Sequence, residues 1–98
     1  MESPNTAISE VNFMSAVTIY TTQYCPFCVR AKRLLSQKDV AFKEIKVDNN
    51  PSLRAEMTKK SGQRTVPQIW IGKSHVGGCD DLFALERANK LDALLARK

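Results

Sequence analysis

Cys25-Pro26-Phe27-Cys28 stands between an apolar run that reads as a strand, Ala16 to Tyr20, and a run that reads as a helix from about Pro26. A strand that delivers two thiols to the mouth of a helix narrows both the architecture and the chemistry. Thiol chemistry runs through the thiolate, and a helix N-terminus offers free N–H groups and a partial positive charge to stabilise one. Cys25 occupies that position. Pro26 then falls in the first turn, where its missing N–H costs no intrahelical bond. Cys28 follows one turn later, close enough to attack a mixed disulfide formed on Cys25. The spacing predicts a redox pair, with Cys25 as nucleophile and Cys28 as resolving thiol.

A chain of 98 residues supports a single domain with a single core. Its 3 cysteines, an odd number, do not make the disulfide framework of a small secreted protein, so an intracellular, cytoplasmic setting is expected. No apolar run approaches the roughly 18 residues of a membrane span, and no membrane association is expected. Residues 1–14 hold Glu2 and Glu10, no Lys or Arg and no apolar stretch, matching neither a secretory signal nor a basic transit peptide. They read as a disordered extension ahead of a domain over residues 15–98, and Met14 would serve equally well as a start.

The formal net charge is +5, and because residues 1–14 contribute only acidic groups, the remaining domain is more basic still. A positive domain favours anionic small molecules, acidic protein surfaces or nucleic acid. The basic residues Arg30, Lys32, Arg33, Lys38, Lys59, Lys60 and Arg64 fall largely on polar helix faces and beside turns. No exposed aromatics interleave with them to form a base-stacking platform, so nucleic acid is not the expected partner. Either a solvated basic face or an anionic ligand near Arg64 accounts for them.

Along the chain, Val17 and Ile19 mark a first strand, and Cys28, Ala31, Leu34 and Leu35 recur at helical spacing. Val40 to Val47 alternates weakly as a second strand, and Asp48-Asn49-Asn50-Pro51 opens a helix to about Lys60. Val66 to Ile71 reads as a third strand entered through Pro67, Gly72-Lys73-Ser74 as a turn and His75-Val76 as a short fourth strand. Gly77-Gly78 ends the sheet. Leu82, Leu85, Ala88, Leu91, Leu94 and Leu95 then predict a helix and a second short one, with a break near Asn89-Lys90. The order is βαβαββα(α).

Three separated stretches resemble the glutaredoxin family: Tyr20-Thr21-Thr22-Gln23-Tyr24-Cys25-Pro26-Phe27-Cys28, Gly62-Gln63-Arg64-Thr65-Val66-Pro67-Gln68 and Gly77-Gly78-Cys79-Asp80-Asp81-Leu82. A lone CxxC is weak evidence; these three in this order are specific. The resemblance implies an α/β, thioredoxin-like fold, with a central four-stranded mixed sheet flanked by helices. It also implies a glutathione-dependent thiol–disulfide oxidoreductase of the dithiol type. Periodicity alone does not separate this family from thioredoxin.

The resemblance also implies a glutathione site, made of Gln63, Arg64, Thr65, Val66 and Pro67 on one segment, Gly78, Cys79 and Asp80 on another, and Phe27. In the family the proline at Pro67 is cis and faces the cysteines, so that Val66 offers its backbone N–H and C=O to the cysteinyl part of glutathione. Gly77-Gly78 would let the backbone approach closely, and the helix start at Cys79-Asp80 suits the carboxylate of the γ-glutamyl end. Asp80 would accept from the ligand's ammonium or cap the helix, and the two roles are compatible. Gln63 would hold the glycine carboxylate, helped by Arg64 and Gln23. Thr22 stands where many family members have lysine, which removes one charge from beside the thiol. Phe27 replaces the more usual tyrosine and keeps an aromatic wall.

Cys79 reads either as a small residue filling a gap or as a regulatory thiol beside the glutathione site. Two other readings involve metal. Cys25, Cys28, His75 and Cys79 make a Cys₃His set that could bind zinc. Some glutaredoxins instead carry an iron–sulfur cluster between two protomers, but Pro26 resembles the redox-active members, since the carriers usually have Gly or Ser there. The expected protein is a monomer with no resident metal or tightly bound cofactor. Glutathione is its co-substrate, and its partners are glutathionylated or disulfide-containing proteins.

Overall fold

Strand alternation divides the hydrophobic residues between two sheet faces. The computed structural model describes residues 16–96, and the expected extension over 1–14 lies outside them. In β1 (Val17–Thr21), Val17 and Ile19 join one buried cluster and Tyr20 joins another. The same split recurs in β3 (Gln68–Ile71), where Ile69 and Ile71 pack with the first cluster and Trp70 with the second. β1 pairs in parallel with β2 (Phe42–Lys46), Val17 opposite Phe42, and antiparallel with β3, Ile19 opposite Ile69. β4 (Ser74–Gly77) adds an antiparallel edge, giving the order β2-β1-β3-β4. This is the four-stranded mixed sheet expected from the sequence.

A parallel pair needs a crossover, and α1 (Pro26–Gln37) supplies it between β1 and β2. Its buried residues are Cys28, Ala31, Leu34 and Leu35, as the spacing predicts. The helix closes on Asp39 at φ 57°, with Asp39 N–H bonding Ser36 and Val40 N–H bonding Leu35, so that Val40 turns back into the core. α2 (Pro51–Ser61) crosses the other face. Asn50 caps it through Leu53 N–H at 3.1 Å, and Gly62 ends it at φ 74°, a conformation that favours glycine. Met57 is its one buried residue.

α3 (Cys79–Arg87) and α4 (Leu91–Leu95) are the two helices expected from the leucine spacing. Their break is the same closing device as in α1: Asn89 sits at φ 61°, its N–H bonds Glu86, and Lys90 N–H bonds Leu85. α1, α3 and α4 cover the larger cluster, in which Ile19, Ala31, Leu35, Ile69, Leu82 and Leu91 are fully buried. α2 covers the smaller one of Tyr20, Val47 and Met57, where the Tyr20 and Trp70 rings meet edge to face at 5.3 Å. Among the described residues, no helix is long and apolar enough to cross a membrane.

Two details differ from the sequence reading. β3 starts at Gln68, leaving Val66 and Pro67 outside the ladder, to which proline has no N–H to give. Two lysines assigned to solvated faces are held by carboxylates: Lys32 lies 2.9 Å from Glu44, and Lys38 lies 2.7 Å from Glu86 and 2.9 Å from Asp92. The Thr21 hydroxyl, at 2.7 Å, and the Lys32 ammonium hold the Glu44 carboxyl below its usual range. The packing predicts that Leu35→Ala lowers stability by about 2–5 kcal/mol, read as a lower urea midpoint at unchanged slope. Lys60→Ala, which removes an exposed i,i+4 pair with Glu56, should leave the urea midpoint nearly unchanged.

Candidate active site

Because β1 ends at Thr21 and α1 begins at Pro26, the short turn between them sets Cys25 at the head of the helix. Cys25 is the N-cap, with φ −125° and ψ 105°, and its sulfur accepts the Cys28 N–H at 3.1 Å. A sulfur thus takes the place that an oxygen usually fills at a helix start. The two thiols differ in exposure, 8% for Cys25 against 1% for Cys28, and both are reduced.

Cys28 is pushed up to about 12, first by burial, then by its hydrogen bond with the Cys25 sulfur and by that sulfur's charge. The Thr22 backbone and the Lys32 ammonium oppose this only in part. At neutral pH Cys28 keeps its proton. Thr22, in the place of the family's lysine, contributes here through its backbone, while the cation acting on Cys28 is Lys32 on α1.

Beside Cys25 opens a cleft of about 320 Å³. Gln63, Thr65, Val66 and Pro67 line it from the segment before β3, Gly78, Cys79, Asp80 and Asp81 from the start of α3, and Phe27 from α1. The Cys25 sulfur reaches its edge, 3.8 Å from the Val66 carbonyl oxygen. The Val66–Pro67 peptide bond is cis. Eight of the site residues named from sequence therefore meet at one opening, with the Cys25 sulfur at its margin. Arg64 turns elsewhere, bordering a neighbouring depression with Arg54 and Lys59, and its carbonyl accepts from Arg54 at 3.2 Å. Gln23 bonds Asp48 through its backbone N–H at 3.1 Å and is not part of the lining.

The α3 end of the cleft depends on Asp81, which the sequence reading did not assign. Its carboxylate accepts the Gly78 N–H at 2.9 Å, so the cap bond belongs to Asp81 and Asp80 is left at the cleft. Gly77 cannot carry a side chain here: its φ is 116°, and a Cβ would overlap the Asp81 carboxylate. A Cβ on Gly78 would sit 3.5 Å from the Pro67 carbonyl oxygen, an ordinary contact. The spacing of Asp81 three residues after a small N-cap was the available signal.

Cys79 is 5% exposed, and burial raises its thiol above the ordinary value. His75 bonds Gln68 at 2.8 Å and lies against Trp70, with ring centres 4.7 Å apart. Among the described residues, no three of His, Cys, Asp and Glu come together in a way that could hold a metal ion.

The family model for glutaredoxin matches residues 17–76. A glutaredoxin of Pseudomonas aeruginosa is 65% identical over 83 residues, covering 85% of this chain and 99% of the relative. Glutaredoxin 3 of Escherichia coli is 55% identical over 82 residues, covering 84% of this chain and 99% of the relative. Among solved structures, a buckwheat glutaredoxin–glutathione complex aligns with a TM-score of 0.77 at 32% identity, over 83% of this chain and 76% of that one.

The asymmetry of the thiols has two measurable consequences. Iodoacetamide at pH 7 should modify Cys25 and leave Cys28 and Cys79 unmodified, as mass spectrometry of the peptides would show. The folded state also holds on Cys28 a proton that the unfolded chain gives up near 9.0. The stability this contributes is intact below that pH and is lost as pH rises toward about 12. Urea midpoints of the reduced protein should therefore fall from pH 8.5 to 10.5 more steeply than those of Cys28→Ser.

Proposed function

This chain belongs to the glutaredoxin family and is a glutathione-dependent disulfide oxidoreductase, and from that premise we propose that it reduces two kinds of substrate by two routes. Protein–glutathione mixed disulfides are reduced through Cys25 alone, and protein disulfides through Cys25 and Cys28 together. The observation that carries this reading is the position of the Cys25 sulfur, at a helix N-terminus and 3.8 Å from the wall of a peptide-sized cleft.

In the first route the Cys25 thiolate attacks the glutathionyl sulfur. The protein thiolate leaves, and glutathione is left joined to Cys25. A second glutathione thiolate attacks the same sulfur, releasing oxidised glutathione and regenerating Cys25. Per turnover one free glutathione is consumed: its sulfur takes the protein sulfur's place in the disulfide, and the protein leaves as a thiol.

In the second route Cys25 forms a mixed disulfide with the protein substrate and Cys28 attacks it. Two of the influences that raise Cys28, the hydrogen bond and the charge of the Cys25 sulfur, are lost once that sulfur is in a disulfide. The resolving thiol thus becomes easier to ionise at the step that needs it. The Cys25–Cys28 disulfide formed is then reduced by two glutathiones.

Glutathione lies in the cleft with its cysteinyl part along the Val66 backbone. Its γ-glutamyl carboxylate meets the start of α3, its ammonium meets Asp80, and its glycine carboxylate meets Gln63. Thr65, Pro67, Gly78 and Cys79 form the walls, and half-exposed Phe27 closes one side. Arg64 contributes only through its charge, from the neighbouring depression. The protein works as a cytoplasmic monomer with no tightly bound cofactor.

Replacing each thiol separates the routes. Cys25→Ser should abolish both activities, and Cys28→Ser should keep deglutathionylation while losing reduction of protein disulfides. A Cys25→Ser protein that still removes glutathione from a glutathionylated substrate contradicts the assignment.

A further inference from the structure

Gln68 is a wholly buried polar residue that the redox chemistry does not touch, 0% exposed at the start of β3. Burying an amide is costly unless its hydrogen bonds are met. Gln68 meets them with the loop that forms the cleft: its Nε2 donates to the Thr65 carbonyl at 3.0 Å and to the Gln63 Oε1 at 3.0 Å, with the Thr65 hydroxyl at 3.3 Å. On its other side the Oε1 faces the His75 Nε2 at 2.8 Å.

The orientation of both amides follows from one group that cannot change its role. A backbone carbonyl only accepts, so the Gln68 atom facing Thr65 must be the NH₂ group; the opposite orientation would set two acceptor oxygens together. Gln68 Oε1 then faces His75, whose Nε2 must donate. The second N–H of Gln68 requires an acceptor on Gln63, so Gln63 turns its Oε1 inward. Since Gln63 lines the cleft, the group left at its outer end is an NH₂ donor.

We propose that Gln68 is a positioning residue: through Gln63 it makes one end of the cleft a fixed N–H donor, and so selects a ligand that ends in a carboxylate. This rests on the reading that the Gln63 end of the cleft receives the glycine carboxylate of glutathione. It adds the element that makes that end discriminate. A free glutamine on a surface loop could present either oxygen or nitrogen, whereas one held by Gln68 presents nitrogen only. His75 and the Thr65 carbonyl extend the constraint to β4 and to the loop backbone.

The test compares glutathione with its glycine ethyl ester as reductants of a small mixed disulfide, with the disulfide products followed directly by chromatography. The readout is the ratio of kcat/KM for the two reductants, which does not depend on how much of a preparation is folded. Gln63→Ala should lower the ratio about tenfold, the effect of one hydrogen bond to a charged group. Gln68→Met should lower it by a similar factor, and the double variant should lower it no further. Gln68→Glu, which turns the Gln63 amide around, should lower it at least as much and serves if the apolar variant does not fold.

A ratio that stays at the wild-type value in both Gln68 variants, while Gln63→Ala lowers it, overturns the positioning role. So does a fall in rate that is equal for both reductants, as a purely structural role would give. A ratio unchanged even in Gln63→Ala overturns the placement of the glycine end, and the positioning role with it.

Discussion

The bond from the Cys28 N–H to the Cys25 sulfur, 3.1 Å long, is the interaction on which the rest of the site depends. It fixes the Cys25 sulfur at the head of α1, among the N–H groups of the first helical turn. Burial first, and then the Cys28 thiol's own hydrogen bond with that sulfur, keep the proton on Cys28. The sheet holds this arrangement in place. β1 ends four residues before Cys25, and Cys28, Ala31, Leu34 and Leu35 press α1 onto the sheet. A helix that slid or rotated would break the cap and bury the wrong sulfur.

The cleft comes from the other half of the sheet. β3 lies beside β1, so the loop entering β3 brings Val66 to the Cys25 sulfur, and the β4–α3 junction closes the opposite side. A parallel neighbour on one edge of β1 and an antiparallel one on the other place a helix start next to a loop of exposed backbone. That combination suits a peptide carrying carboxylates. The buried Gln68 couples the loop to the strand through its bonds to Gln63 and to the Thr65 carbonyl.

Much of this was legible in the chain. The α1 core positions and the break at Asn89 follow from spacing and local chemistry, and the meeting of three distant motifs is what the resemblance to glutaredoxins implies. What was not legible depended on neighbours chosen only in three dimensions. Asp80 and Asp81 are adjacent and equally able to cap, and only the helix geometry gives the bond to Asp81. Gln63 and Arg64 are adjacent too, yet the loop turns one into the cleft and the other away. Thr22 leaves a charge missing from the turn, but Lys32 acts on Cys28 from a full turn beyond it on α1. Gln68 looked like an ordinary polar position in a strand pattern, and its role appears only when its partners on two sides are seen.

The central claim is that this redox pair is coupled to glutathione by the cleft beside it. The most direct test is turnover of a small mixed disulfide with glutathione and glutathione reductase, set against turnover with thioredoxin reductase as the only source of electrons. The account predicts steady turnover with the first and none above background with the second. Turnover sustained by thioredoxin reductase, with none from glutathione, would contradict it.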